Sequence, residues 1–184
     1  MKIYKIFILF LFIFFSYFQS SQSSQKNIIN NLFNQLAKTN NSKNGELIER
    51  KIWSIWNKHP NDKKLTERLK FGIELMQYGD YNYALKVFDN ILATDPKWPE
   101  AWNKRATVYF LMNDFTNSLN DIDRVLRIEP RHFGALSGQA RIFLKLQKYE
   151  KAIKSIKKAL KFHPSFRSGD LIPEIEKLIK GESI

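Results

Sequence analysis

Between residues 65 and 166 apolar side chains recur three and four positions apart, and short polar stretches interrupt them at regular intervals. That spacing predicts a chain of amphipathic helices and no strands. The interruptions are themselves periodic. Shifted by 34 residues, the chain aligns Pro96 with Pro130 and Pro164, and Gly72 with Ala106 and Ala140. The same shift aligns Leu75 with Tyr109 and Phe143, Ala84 with Ser118 and Ala152, and Phe88 with Ile122 and Ile156. The turn pairs Asp80-Tyr81, Asp114-Phe115 and Lys148-Tyr149 fall in the same register. Each unit therefore reads as two helices joined by a tight turn and closed by a proline, which ends the second helix without losing a needed hydrogen-bond donor. The small residues at 72, 106 and 140 face those at 84, 118 and 152, so the two helices of a unit can approach closely. Trp102, Leu136, Tyr109 and Phe143 then fill the seam.

This pattern of small, aromatic and proline positions over 34 residues resembles the tetratricopeptide repeat (TPR). The resemblance implies an all-α TPR solenoid of three helix-turn-helix repeats, at 65-98, 99-132 and 133-166. Three units are about the minimum that buries a continuous core, and solenoid ends need polar-faced caps. A short C-terminal capping helix is expected in 167-184, with Asp170 as its N-cap, Ile172, Ile175, Leu178 and Ile179 as its apolar face, and Gly181 as its stop.

Ahead of the repeats, residues 24-64 read as a helical hairpin. Ile28, Ile29, Leu32, Phe33 and Leu36 form one stripe, Ile48, Ile52, Ile55 and Trp56 the other, and TNNSKNG is the turn. The small residues of the repeat are missing, with Lys38 and Arg50 in their places. Packed on the first repeat as an N-terminal cap, this hairpin would bury one of Trp53 and Trp56 and leave the other as a candidate contact residue. The segments LFNQLAK, IERKIWSIW, EAWNKRATVYF, EPRHFGALSG and IEKLIKGE together resemble an uncharacterised group of exported bacterial TPR proteins, over nearly the whole chain after residue 23.

Residues 1-23 place Lys2 and Lys5 before an apolar run from Ile6 to Phe15, followed by a polar stretch in which Ser21 and Ser23 fill the small positions ahead of a cut. This is a signal-peptide pattern, so export, to the periplasm, is expected. If the segment is not cleaved, the chain is membrane-anchored. The absence of cysteine excludes disulfides, Cys-ligated zinc and thiol catalysis. A formal charge of +12 favours anionic partners without choosing among them.

Enzyme chemistry is not expected. The three histidines, His59, His132 and His163, lie far apart, none at the spacing of a helical metal site, and no phosphate loop or nucleophile elbow is present. No catalytic residue, metal, cofactor or small-molecule substrate is therefore assigned. Asp121 and Asp123 point to different sides of their helix, and one or the other is expected to pair with Arg105 instead.

The expected function is a non-catalytic scaffold holding a peptide or partner protein in the concave groove. Its lining would be Leu69, Ile73 and Met76 from the first repeat, Asn103, Lys104, Thr107 and Phe110 from the second, and Ser137, Arg141 and Leu144 from the third. Gly134 and Gly138 either open the groove floor or tighten helix packing. Arg131 and His132, within EPRHFGAL, occupy the joint between the second and third repeats and would form a basic end with Lys104 and Arg141. The alternative is a basic module binding an anionic surface, lipid headgroups or nucleic acid. TPR proteins that clamp the acidic C-terminal tails of chaperones place Lys, Asn and Arg at positions that here hold Leu69, Ile73, Lys104, Gly134 and Gly138, so such a clamp is not expected.

Overall fold

The computed structural model describes residues 24–39 and 42–181, and among them every regular element is helical. The expected signal segment lies outside the described residues. Helix α1 covers 24–38 and α2 covers Ser42–Trp56, so the predicted turn TNNSKNG is shorter than the sequence suggests. Three pairs follow: α3 (Lys63–Gln77) with α4 (Tyr81–Thr94), α5 (Pro99–Leu111) with α6 (Phe115–Ile128), and α7 (Phe133–Lys145) with α8 (Tyr149–Leu160). A 3-10 turn, Arg167–Leu171, leads into α9, Ile172–Lys180. Asp170 lies inside that turn and does not cap α9, which starts with Pro173 in its first turn and ends at Gly181 in the left-handed conformation.

Local chemistry sets the boundaries. Asp62, Asp80 and Asp114 each accept the backbone N–H three residues on, a strong N-cap that starts α3, α4 and α6. The turns inside the three pairs each contain one residue in the left-handed region, Gly79, Asn113 and Gln147, again 34 apart. The small column works as the spacing implies. A Cβ added to Gly72 would stand 2.6 Å from the ring of Phe88, and Ser118 donates its hydroxyl to the carbonyl of Ala106 at 2.7 Å, which removes the cost of burying it. Adjacent pairs stack through α4 on α5 and α6 on α7, and α9 closes the far end on α8 through the buried Ile175. Arg105 ties two pairs together. It holds Asp121 of α6 through two bonds of 2.8 and 2.7 Å and reaches Asp89 of α4 at 2.6 Å. Asp123 instead pairs with Arg127 on its own helix.

The opening hairpin does not cap the first repeat. It lies along the joints between repeats, and α2 runs past them in reverse order. At its C-terminal end the carbonyl of Trp56 accepts the indole N–H of Trp98, in the joint of repeats one and two. The ring of the same Trp56 stacks on His132, in the next joint, with centroids 4.0 Å apart, and Trp53, one turn back, meets His132 edge-on. Towards its start, Glu49 meets His163 at 3.0 Å, near the end of the third repeat, and Glu46 meets Arg167 at 2.8 Å, just beyond it. Ile29, Leu32, Phe33 and Leu36 of α1 join Ile52 and Trp56 in one apolar cluster with Phe133 and Leu136 of α7. Both tryptophans of α2 are thus used. Trp56 is 4% exposed, and half-buried Trp53 packs its edge on Trp56, Phe133 and His132.

Candidate functional site

The concave face is built by the first helices of the pairs, and between α5 and α7 it opens into a cavity of about 260 Å³. Asn103, Lys104, Thr107 and Phe110 line it from α5, and Ser137 and Arg141 from α7. Its floor is formed by Ser118 and Ile122 of α6, visible because Gly138 has no side chain to cover them. The two glycines act differently. An added Cβ at Gly138 would meet Ile122 at 3.7 Å, an ordinary contact, so this position leaves real space. At Gly134 an added Cβ would stand 2.4 Å from the Trp53 ring, so this glycine is the seat of the hairpin. Trp53, Glu49 and Phe166 close the joint end of the cavity.

One buried carboxylate organises that end. Glu100 is fully buried in the first turn of α5, where its charge also suits the helix N-terminus. It accepts from Lys104 at 2.8 Å, from Asn103 at 3.2 Å and from His132 at 3.0 Å. His132 can donate there because its Nδ1 accepts the backbone N–H of Ala135, capping α7 and fixing the proton on Nε2. Burial pushes the Glu100 carboxyl up, but the charge of Lys104 and the bond from His132 outweigh it, so the group sits below its ordinary value. The same balance holds at Glu49, where burial is overcome by hydrogen bonds from His163 and Trp53. Asp95, bonded to His59 at 2.8 Å, is also held low, chiefly by that bond.

These contacts correct the expected basic end. His132 is fully buried under Trp56 and is a packing and capping residue that no partner can reach. Arg131 points away from the groove. It is bonded to Glu129 and to Asn30 of α1, lies over the Phe33 ring, and lines a separate cleft of about 900 Å³ beside the hairpin. Lys104 is committed to Glu100. Arg141 alone of the four stays exposed without a carboxylate among the described residues, its guanidinium 5.1 Å from the Phe110 ring. At the first repeat Leu69 is buried in a core cluster with Phe88 and Trp98, and Ile73 and Met76 pack against that cluster instead of lining the cavity. Leu144 likewise packs on Ala140 and Ile156.

Sequence reasoning missed Glu100 and Trp98, and named Trp53 only as one of two candidate contact residues of the hairpin. A signal for two of the joints was present, since Trp98, His132 and Phe166 share one 34-residue register at the last position of each repeat. All three side chains face the hairpin side, in addition to the contacts each makes within its own repeat. Among the described residues no cluster of metal-ligating side chains forms. No described helix is long and apolar enough to cross a membrane.

Residues 77–159 match the family described as anaphase-promoting complex, cyclosome, subunit 3. Among solved structures, the first TPR of Spaghetti (RPAP3) bound to the HSP90 peptide SRMEEVD is similar at 21% identity and a TM-score of 0.60, over 65% of this chain and 96% of that one. The first TPR domain of human RPAP3, determined by NMR, gives 21% identity and 0.60 over 64% and 93%. The TPR2B domain of yeast Sti1, in a complex with pHsp70, gives 18% identity and 0.55 over 65% and 95%. No curated protein sequence matches the chain. At these identities the likeness is one of fold, and the fold is an all-α TPR solenoid.

Proposed function

We propose that this TPR solenoid is a non-catalytic scaffold that binds a peptide or a segment of a partner protein, with the α5–α7 cavity as the anchoring site. The observation that carries the reading is the coincidence of three features at one place. Gly138 leaves an apolar floor open, Phe110 walls it, and Arg141 stands over it with no carboxylate of its own among the described residues. A partner segment offering one apolar side chain and one carboxylate fits both, because Arg can hold a carboxylate through two parallel bonds. The solved relatives bound to HSP90 and Hsp70 partners support peptide binding in general. Their ligand does not transfer, since the one lysine at a clamp position, Lys104, is already bonded to Glu100.

Export to a bacterial envelope belongs to the same proposal. It rests on the charge and apolar pattern of residues 1-23. N-terminal sequencing of the protein recovered from cell fractions tests it: an intact Met1 in the cytoplasm overturns it.

Binding is tested by selecting short peptides on the full chain and measuring the affinity of the winner for variants. Arg141→Ala and Phe110→Ala should each weaken it about tenfold, the effect of losing roughly 1.4 kcal/mol, while melting temperature stays near that of the parent for Arg141→Ala. Binding unchanged in both variants would refute the site. A steep loss of affinity with salt that survives both substitutions would favour the anionic-surface reading instead.

A further inference from the structure

Inside the solenoid the outer face of each first helix is covered by the second helix of the preceding pair. On α5 that face carries Trp102, Arg105 and Tyr109, and Arg105 reaches back to Asp89 of α4. The 34-residue register puts Arg68 and Phe71 of α3 at the positions of Trp102 and Arg105, while Leu75, at that of Tyr109, packs on the core of the first repeat. Because the hairpin lies over the joints, nothing among the described residues covers this face. Phe71 is 47% exposed and Tyr78, two turns further on at the end of α3, is 88% exposed. A shallow cavity of about 600 Å³ lies beside Phe71, between Arg68 and the α4 residues Val87, Asn90 and Thr94. Natural solenoids cap such ends with polar residues, and here an exposed phenylalanine stands among them.

We propose that this bare end of the first repeat binds a second copy of the chain, through a two-fold, antiparallel pairing of the α3 helices centred on Phe71. The stripe on α3 at helical spacing reads Lys64, Arg68, Phe71, Glu74 and Tyr78, all exposed. A two-fold axis at Phe71 sets each residue opposite the one equally far on its other side. Arg68 then faces Glu74 of the second copy, and Lys64 faces its Tyr78 ring. None of Arg68, Glu74 and Lys64 is ion-paired within its own chain among the described residues. A parallel pairing would set Arg68 against Arg68 and Glu74 against Glu74, so charge selects the antiparallel arrangement. The far end of the solenoid is closed by α9 through Ile175, which favours a closed pair over a head-to-tail fibre.

The chain has no cysteine, so one introduced thiol reports one position. Phe71→Cys places a thiol on the axis, where it meets its own copy, and a short bismaleimide should link the full chain into dimers. Tyr83→Cys, at 52% exposure for the parent residue, is the control and should not link. Independently of any cysteine, sedimentation of the full chain should show Arg68→Glu and Glu74→Arg each weakening self-association about tenfold, because the pair occurs twice in a two-fold contact. The double reversal should restore it. Arg141→Ala, in the groove, should leave it unchanged. A chain that stays monomeric, a dimer indifferent to both charge reversals, or equal linking at 71 and 83 each overturns the proposal. The last two outcomes would place self-association elsewhere, on the apolar N-terminal run or the hairpin, and none of them bears on peptide binding.

Discussion

Replacing Gly134 and Gly138 by alanine, one at a time, should change stability in opposite directions. Both lie in α7, and neither has a positive φ. On helix propensity alone each alanine would stabilise by up to about 1 kcal/mol, somewhat less at 134 because it falls in the first turn. At 138 the new methyl meets Ile122 at 3.7 Å, so most of that gain should appear. At 134 the methyl would stand 2.4 and 2.7 Å from two carbons of Trp53, where normal contact needs about 3.5 Å or more. Trp53 must withdraw by roughly 1 Å, yet its indole N–H is bonded to Glu49 at 3.2 Å and its ring edges rest on Trp56, Phe133 and His132. Overpacking of a held ring costs about 1 to 3 kcal/mol, which exceeds the propensity gain. The net expectation is a loss of about 1 to 2 kcal/mol for Gly134→Ala and a gain of about 0.5 to 1 kcal/mol for Gly138→Ala. For a chain of this size the two melting temperatures should differ by roughly 5 to 10 °C. Helical circular dichroism on heating gives the comparison, and Trp53→Leu combined with Gly134→Ala should recover part of the loss. If Gly134→Ala melts at or above the parent, the hairpin does not rest on α7 and the groove is open along its whole length.

Four further outcomes follow from the same contacts. His132→Ala removes the cap of α7, the stack on Trp56 and one partner of buried Glu100, and should cost about 3 kcal/mol by urea denaturation. Gln147→Gly should raise stability by about 1 kcal/mol, since Gln147 is held at φ 54 where Gly79 serves in the first repeat. Ala106→Leu should cost about 1 to 3 kcal/mol, because Ala106 is buried in the cluster of Ile122, Val125, Ala135 and Ile142 and its carbonyl is held by Ser118. The carboxyls of Glu49 and Glu100 sit below their ordinary 4.5, and Asp95 below 3.8, so their contribution is complete above those values and is lost as pH falls through the lower folded ones. The melting temperature should therefore drop between about pH 5 and 3, less steeply in Glu49→Gln, and a flat profile would contradict the assignment.

The helix pairs were legible because the 34-residue register repeats one packing solution, in which a small residue at 72, 106 or 140 is useful only against a small or aromatic partner in the facing helix. The α5–α7 opening was legible in part. Gly138 announces missing volume, and Arg141 follows at helical spacing on the same face. The placement of the hairpin was not legible, because amphipathic stripes such as Ile48, Ile52 and Ile55 state that a face must be buried and not against what. Nor was the fate of His132. A histidine beside Arg131 in a loop looks exposed until Glu100, 32 residues earlier, and Trp56, on another helix, are known to lie above and below it. Leu69 failed as a groove residue for a related reason. Its helical position faces inward, but it is taken up in one buried cluster with Phe88 and with Trp98 from the following joint.

Repeat arrays ordinarily come apart one unit at a time, since each touches only its neighbours. Here α2 joins Trp98, His132 and His163 in a single element, and its bonds span up to 121 positions, from Glu46 to Arg167. Two consequences follow for how the molecule is made. Contacts so distant in sequence slow folding compared with the local pairing of each repeat. During synthesis α1 and α2 leave the ribosome before any repeat, yet their seat is finished only when residues near 167 have emerged. The first helices of the domain to be made are thus among the last to find their place, and until then Trp53, Trp56 and Phe33 remain uncovered for any chaperone to hold.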